Sequence, residues 1–157
     1  MNAIVEISND CSDHWVPAAA RCQDWIQSAL DAASLTSPYC VSLRFVDQTL
    51  GGDLNNQYRG RKTATNVLSF PAQLPPGFSS LLDYAPLGDI VLCPPLIEQE
   101  AHLQGKALPA HWAHLLVHGL LHLVGYDHDS DEAAESMEKL EINALERLGF
   151  PNPYLIV

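Results

Sequence analysis

Hydrophobic and polar positions along the chain change their period several times, and each change marks an element. Ala3 to Ile7 alternates weakly and is rich in Ile and Val, which predicts a first strand, with Asn9 and Asp10 as turn residues after it. From Pro17 to Ala33 the apolar positions Ala18, Cys22, Trp25, Ile26, Ala29, Leu30 and Ala33 recur three or four apart, the spacing of one helical face, and Pro17 suits a first helical position. Val41, Leu43 and Phe45 share one parity and Ser42 and Arg44 the other, so Cys40 to Asp47 reads as a half-buried strand. Asn66 to Phe70 reads as another strand, closed by Pro71. Ala72 to Pro86 is rich in proline, glycine and serine and reads as a surface loop, followed by a strand over Asp89 to Leu92. From Leu96 onward the pattern is almost wholly helical, with breaks near Gly105 to Pro109 and Gly125 to Ser130. The last helix, Asp131 to Leu148, places Met137, Leu140, Ala144 and Leu148 on an apolar stripe, with Glu132, Glu135 and Glu138 off it and Glu141 near its edge. A strand followed by an amphipathic helix begins an α/β or α+β plan. No repeat and no long linker divides the chain, so residues 1–157 are expected to form one domain.

Composition supports one core, since 47% of the 157 residues are hydrophobic and only 17% are charged, well outside the disordered class. The formal net charge of -11 provides no global basic field to capture nucleic acid or an anionic membrane, so any anionic partner must be held by a local patch. Arg59, Arg61 and Lys62 form such a patch. Cysteines at 11, 22, 40 and 93 contain no CxxC pair, which excludes a zinc ribbon or a thioredoxin-type motif and leaves reduced structural thiols. Glu6 and Asp10 interrupt the amino terminus before a signal-type apolar stretch can form, and no run of about eighteen apolar residues occurs, so the expected location is the cytoplasm.

Six of the seven histidines lie between 102 and 128, most densely in HLLVHGLLHLVGYDH from His114 to His128. Four residues of α-helix advance by about 40° and about 6 Å, so His118 and His122 project from one face close enough to share a metal ion. On a continued helix His128 would lie about 9 Å further along and on the far side. Gly125, however, allows a left-handed C-cap from which Tyr126 and Asp127 carry His128 back toward the same ion. His114 competes for the third place, but it lies about 12 Å from His122 on a straight helix, too far for one ion with bonds of about 2 Å. His118, His122 and His128 are therefore the expected ligands. His114, His111 and His102 are expected behind the ligands, in packing or on the surface. Three neutral nitrogen ligands leave a fourth position open, the mark of a catalytic zinc site. The spacing matches the HExxHxxGxxH peptidases, in which a glutamate after the first histidine is the general base. Here that position is Gly119, so a peptidase reading lacks its proton acceptor. Asp127 is the nearest carboxylate, suited either to orienting a histidine or acting on the attacking water, or to a solvated turn.

HGLLHLVGYDH from His118 to His128 resembles the signature of the YbeY family, bacterial metal-dependent endoribonucleases of ribosomal RNA maturation. LNNQYRGRKTATNVLSFP from Leu54 to Pro71 and LGDIVLC from Leu87 to Cys93 resemble two further blocks of that family, in the same order. Asn66 departs from the pattern, standing where the family usually has aspartate. The resemblance implies a single α+β domain with a small mixed sheet packed by helices, and one zinc ion held by the three histidines at one end of a cleft, in a metal motif reminiscent of the metzincins. It also implies that Arg59 faces that cleft, where metal and guanidinium would stabilise an anionic phosphorus centre from two sides. The implied activity is cleavage of single-stranded RNA in maturation of the small-subunit ribosomal RNA 3′ end and in ribosome quality control. Small ribosomal subunits and their associated proteins are implied partners, and a membrane is not. Ser69 and Asn66, near the end of a strand, are candidates for hydrogen bonds to substrate, although strand ends use such residues for capping too. No aromatic stacking platform of the general RNA-binder kind is visible in the sequence. Two other readings are a ribosome-assembly factor with a mainly structural zinc, and a metallohydrolase of another substrate.

Overall fold

The computed structural model describes residues 3–36, 38–61, 65–77 and 82–155. Lys62, one of the three basic patch residues, lies outside them. In chain order the elements are β1 (Ala3–Asn9), α1 (Ala19–Ala32), β2 (Tyr39–Phe45), α2 (Gln48–Arg59), β3 (Val67–Pro71), β4 (Ala85–Leu92), α3 (Pro94–Gln104), α4 (Leu108–Leu123) and α5 (Asp131–Arg147). The strands form one mixed sheet in the order β1-β2-β4-β3. β1 with β2 and β2 with β4 are parallel, whereas β3 runs antiparallel to β4 along the sheet edge. The result is the small mixed sheet of a single α+β domain.

Most of the helical mass packs on one sheet face. Trp25, Ile26 and Leu30 of α1, Leu43 and Phe45 of β2, Ile90 and Leu92 of β4, and Trp112, Leu116 and Leu120 of α4 are buried together, with Met137 and Leu145 of α5 behind them. α4 lies at the centre of this core, in accord with its nearly continuous apolar sequence. The other face carries a smaller cluster in which Val46, Leu68 and Val91 are packed by Leu50 and Leu54 of α2 and by Phe70.

α2 is absent from the expected elements. Gly51 and Gly52 weaken intrinsic helicity, and only Leu50 and Leu54 supply apolar anchors one turn apart. Its ends nevertheless carry clear signals. The Asp47 carboxylate accepts from the Leu50 amide at 2.8 Å, and Gly60 closes the helix in the left-handed conformation at φ 68°. β4 also begins four residues earlier than expected. Pro86 obscures that start, yet it is tolerated because it sits where the β2–β4 register shifts, between Cys40 and Val41.

The four cysteines are free; Cys11, Cys22 and Cys93 are buried, and Cys40 is half-buried. Burial pushes all four thiols upward, Cys22 to about 11. No helix among the described residues is long and apolar enough to cross a membrane.

Because Asp47 caps the helix that ends at Arg59, Asp47→Ala should lower stability by about 1 kcal/mol in denaturant unfolding.

Candidate metal centre and cleft

His118 and His122 lie one turn apart near the carboxyl end of α4, with their Nε2 atoms 3.1 Å apart. After Leu123 the chain turns at Gly125, φ 104°, where the Gly125 amide donates to the His122 carbonyl and the Tyr126 amide to that of Leu121. This reversal carries the His128 ring to 5.2 Å from that of His122 and 5.8 Å from that of His118, centroid to centroid. One donor nitrogen from each of the three histidines lies within 4.8 Å of the other two. A tetrahedral ion with bonds of about 2.0–2.1 Å holds its ligand nitrogens about 3.3 Å apart, so the separation at His118 and His122 fits an imidazole-bound metal. His118, His122 and His128 would hold it. Burial, together with the neighbouring His118 and His128, lowers the His122 pKa, which favours the neutral, ligating form.

Behind the trio stands Glu141 of α5, fully buried, whose Oε1 accepts from His118 Nδ1 at 2.6 Å. With Nδ1–H donating to this carboxylate, the His118 Nε2 lone pair faces His122 and His128, the arrangement by which a carboxylate fixes the tautomer of a metal-binding histidine. The other oxygen accepts from the Tyr154 hydroxyl and lies 3.5 Å from His114 Nε2. His114 thus reaches the back of Glu141 rather than the ion. Burial raises the Glu141 pKa, but the hydrogen bonds from His114, His118 and Tyr154 outweigh it and bring the carboxyl from 4.5 down to about 2. The carboxylate therefore stabilises the fold fully above the unfolded value, and that contribution is lost as pH falls from 4.5 toward about 2. Sequence reading missed Glu141 and Tyr154. A buried charge on the edge of an apolar stripe looks like ordinary amphipathicity, and the histidine that pairs with it lies on another helix.

His118, His122 and His128 line a cleft of about 580 Å³ together with Tyr58 and Arg59 at the end of α2. Its floor is the edge strand β3. Asn66 and Ala72 share hydrogen bonds with Cys93 and Leu87 of β4, and residues 68 and 70 repeat that orientation. The backbone groups of Val67 and Ser69 consequently point along the open edge. Arg59 is exposed in the cleft; Arg61 is exposed but does not line it. The Asp127 carboxylate accepts from the His128 amide at 2.7 Å. That bond, and another with Asp129, hold its pKa below the ordinary value, leaving an ionised acceptor beside a ligand. The Ser69 hydroxyl donates to the Gly119 carbonyl at 2.9 Å, tying β3 to α4. Asn66 donates through Nδ2 to both oxygens of Glu100, and His111 Nε2 lies 3.0 Å from the same carboxylate. His111 is thereby engaged away from the ion, and His102 is exposed on α3.

Gly119 has a packing role. A Cβ there would lie 2.9 Å from Ile90 Cγ2 and 3.2 Å from Val67 Cγ2, so the glutamate of the peptidase motif has no room between α4 and the sheet. A larger cavity of about 760 Å³ lies between the α3–α4 turn and the carboxyl-terminal segment, mostly against apolar groups, and contains none of the three converging histidines.

Three histidines placed to hold one metal ion, in a cleft that an arginine also lines on an α+β fold, suit a metal-dependent hydrolase. The family model of the endoribonuclease YbeY matches residues 6–149, and this chain belongs to that family. It is 48% identical over 143 residues to the endoribonuclease YbeY of Pseudomonas syringae pv. syringae (strain B728a), covering 91% of this chain and 83% of that one. With the endoribonuclease YbeY of Stutzerimonas stutzeri (strain A1501) it shares 49% identity over 152 residues, 96% of this chain and 92% of the other. Among solved structures, the solution structure of TM1509 from Thermotoga maritima shares the fold, with a TM-score of 0.55 at 21% identity, covering 98% of this chain and all of that one.

Replacing Glu141 with Gln should weaken binding of an added divalent metal ion roughly 10- to 100-fold, measured by competition with a chromogenic chelator. The same variant should lose the part of the decline in stability between pH 4.5 and about 2 that Glu141 contributes, so its stability should fall less steeply there than that of wild type. Gly119→Ala should cost about 1–3 kcal/mol in thermal or denaturant unfolding.

Proposed function

We propose that the protein is a zinc-dependent endoribonuclease that cleaves single-stranded RNA in maturation of the small-subunit ribosomal RNA 3′ end and in ribosome quality control. The observation that carries this reading is the cleft that Arg59 lines together with His118, His122 and His128. A phosphodiester passes through an anionic phosphorus centre, which positive groups on two sides stabilise more than either alone. One zinc ion per chain, when bound, supplies positive charge at the phosphoryl oxygens and activation of the attacking group. The Arg59 guanidinium, a planar fork of N–H donors, holds the non-bridging oxygens. The outward amides of Val67 and Ser69 are further donors to the backbone of the RNA, a type of contact that positions without reading sequence. Asp127, beside His128 and accepting from its amide, can orient that histidine or the attacking group.

The acidic surface confines RNA to this cleft. With a net charge of -11, binding away from Arg59 and the metal is repulsive, and the acidic residues before α5 bound the path on one flank. The substrate is accordingly RNA held locally, with the small ribosomal subunit and its proteins as partners and the cytoplasm as the location. Hydrolysis of a peptide by the same centre is disfavoured by the packing at Gly119, which leaves no position for the glutamate base.

The decisive experiment is cleavage of a short labelled single-stranded RNA by protein of measured zinc content. Wild type should cut, and chelated protein should not. His122→Ala should lose both zinc and cleavage, whereas Arg59→Glu should retain zinc and lose cleavage. RNA cutting by a metal-free His122→Ala protein would overturn the metal mechanism. Fully loaded wild type that never cuts would favour an assembly role instead.

A further inference from the structure

Beside Arg59, the Tyr58 ring lies against Phe70 with centroids 4.1 Å apart and planes tilted by 56°. Beyond that contact Tyr58 remains largely open to solvent, at 67% exposure. The two residues come from different elements twelve positions apart, the end of α2 and the edge strand β3, and no local pattern announces their meeting. Tyr58 and Phe70 line the metal cleft and also a second cavity of about 390 Å³, which continues from it past Pro71 to Gln73, Gly88 and Asp89. That volume lies at the small-ligand end of the usual range of about 300–1,000 Å³.

Charge sets the direction in which a nucleotide fits these two joined spaces. Arg59 and the histidine centre attract phosphate at one end. Asp89, exposed and opposite Phe70 in the β3–β4 register, repels phosphate at the other. Its carboxylate has no side-chain partner among the described residues. An ionised carboxylate only accepts hydrogen bonds, so it favours a base edge rich in N–H donors, and guanine presents two adjacent ones.

We propose that Tyr58, backed by Phe70, is the stacking platform for a nucleobase beside the scissile phosphate, and that Asp89 reads the edge of that base in the adjoining cavity, with guanine preferred. This rests on the endoribonuclease reading and adds to it a physical origin for single-strand selectivity. A base held in a duplex is stacked on its neighbours and cannot lie on Tyr58, whereas an unpaired base can.

The test is binding, not turnover. A short fluorescein-labelled single-stranded RNA with cleavage-resistant phosphorothioate linkages is titrated with zinc-loaded protein, beside a fully abasic ribose-phosphate counterpart. Tyr58→Ala should weaken binding of the base-bearing RNA by roughly 5- to 150-fold, the equivalent of about 1–3 kcal/mol of stacking per base, and leave binding of the abasic strand unchanged. Tyr58→Phe should restore the affinity. Wild type should prefer a guanine over uracil in RNAs differing at one base, and Asp89→Asn should erase that preference. If Tyr58→Ala binds base-bearing RNA as well as wild type does, or weakens both strands equally, the stacking site is wrong and the endoribonuclease reading survives. Equal wild-type affinity for the two bases would remove Asp89 from the proposal. Failure of wild type to bind either strand would overturn the RNA reading and the subsite with it.

Discussion

A missing side chain at position 119 lets α4 settle onto β3 and β4 until a single added carbon would lie 2.9 Å from Ile90 Cγ2. The Ser69 hydroxyl closes the contact by donating to the Gly119 carbonyl. Because His118 precedes this glycine and His122 follows it by three residues, the same approach sets the height of both imidazoles above the edge strand. The separation of the histidines from the outward amides of β3 follows from that close contact, while α2 is placed by the packing of Leu50 and Leu54 on the other sheet face. Tight interiors transmit such constraints because they have little free volume to absorb a shift.

Two carboxylate clusters, one buried and one partly exposed, hold the surrounding parts in place by different means. Glu141 ties α5 and the carboxyl-terminal segment to the metal-facing histidine through His118, His114 and Tyr154. Glu100 ties α3 to the start of β3 and to α4 through Asn66 and His111. In the second cluster the amide at position 66 suits its neighbour. An aspartate there would set two like charges against each other, whereas the Asn66 Nδ2 group donates to both Glu100 oxygens. A histidine-rich helix is thus divided along its length. His111 and His114 are engaged by carboxylates, and His118 and His122 face the cleft.

What could be read from the sequence was local. The convergence of His118, His122 and His128 follows from helical pitch and one glycine placed to reverse the chain, and α1, α4 and α5 follow from apolar periodicity. α2 escaped because its helix depends on tertiary burial of Leu50 and Leu54 and on its caps, not on propensity. The early start of β4 escaped because a proline inside a central strand is acceptable only at a register shift, which is a property of the pairing and not of the strand. Glu141 and the Tyr58–Phe70 pair were invisible for a shared reason. Each acquires its meaning from a partner on another element, and no single-chain period encodes that partnership.

The cysteines add a consequence for how the metal centre is loaded. Zinc is soft enough to favour thiolate sulfur, and a chain with four thiols offers it rival anchors during and after folding. Here Cys11, Cys22 and Cys93 are buried and their thiols are pushed above the ordinary value, so the converging imidazoles are the better-placed donors. The fold therefore acts as a sorting device that admits the ion at the cleft and denies it to the core. The same enclosure shields Cys11, Cys22 and Cys93 from oxidants and leaves Cys40 as the more accessible sulfur.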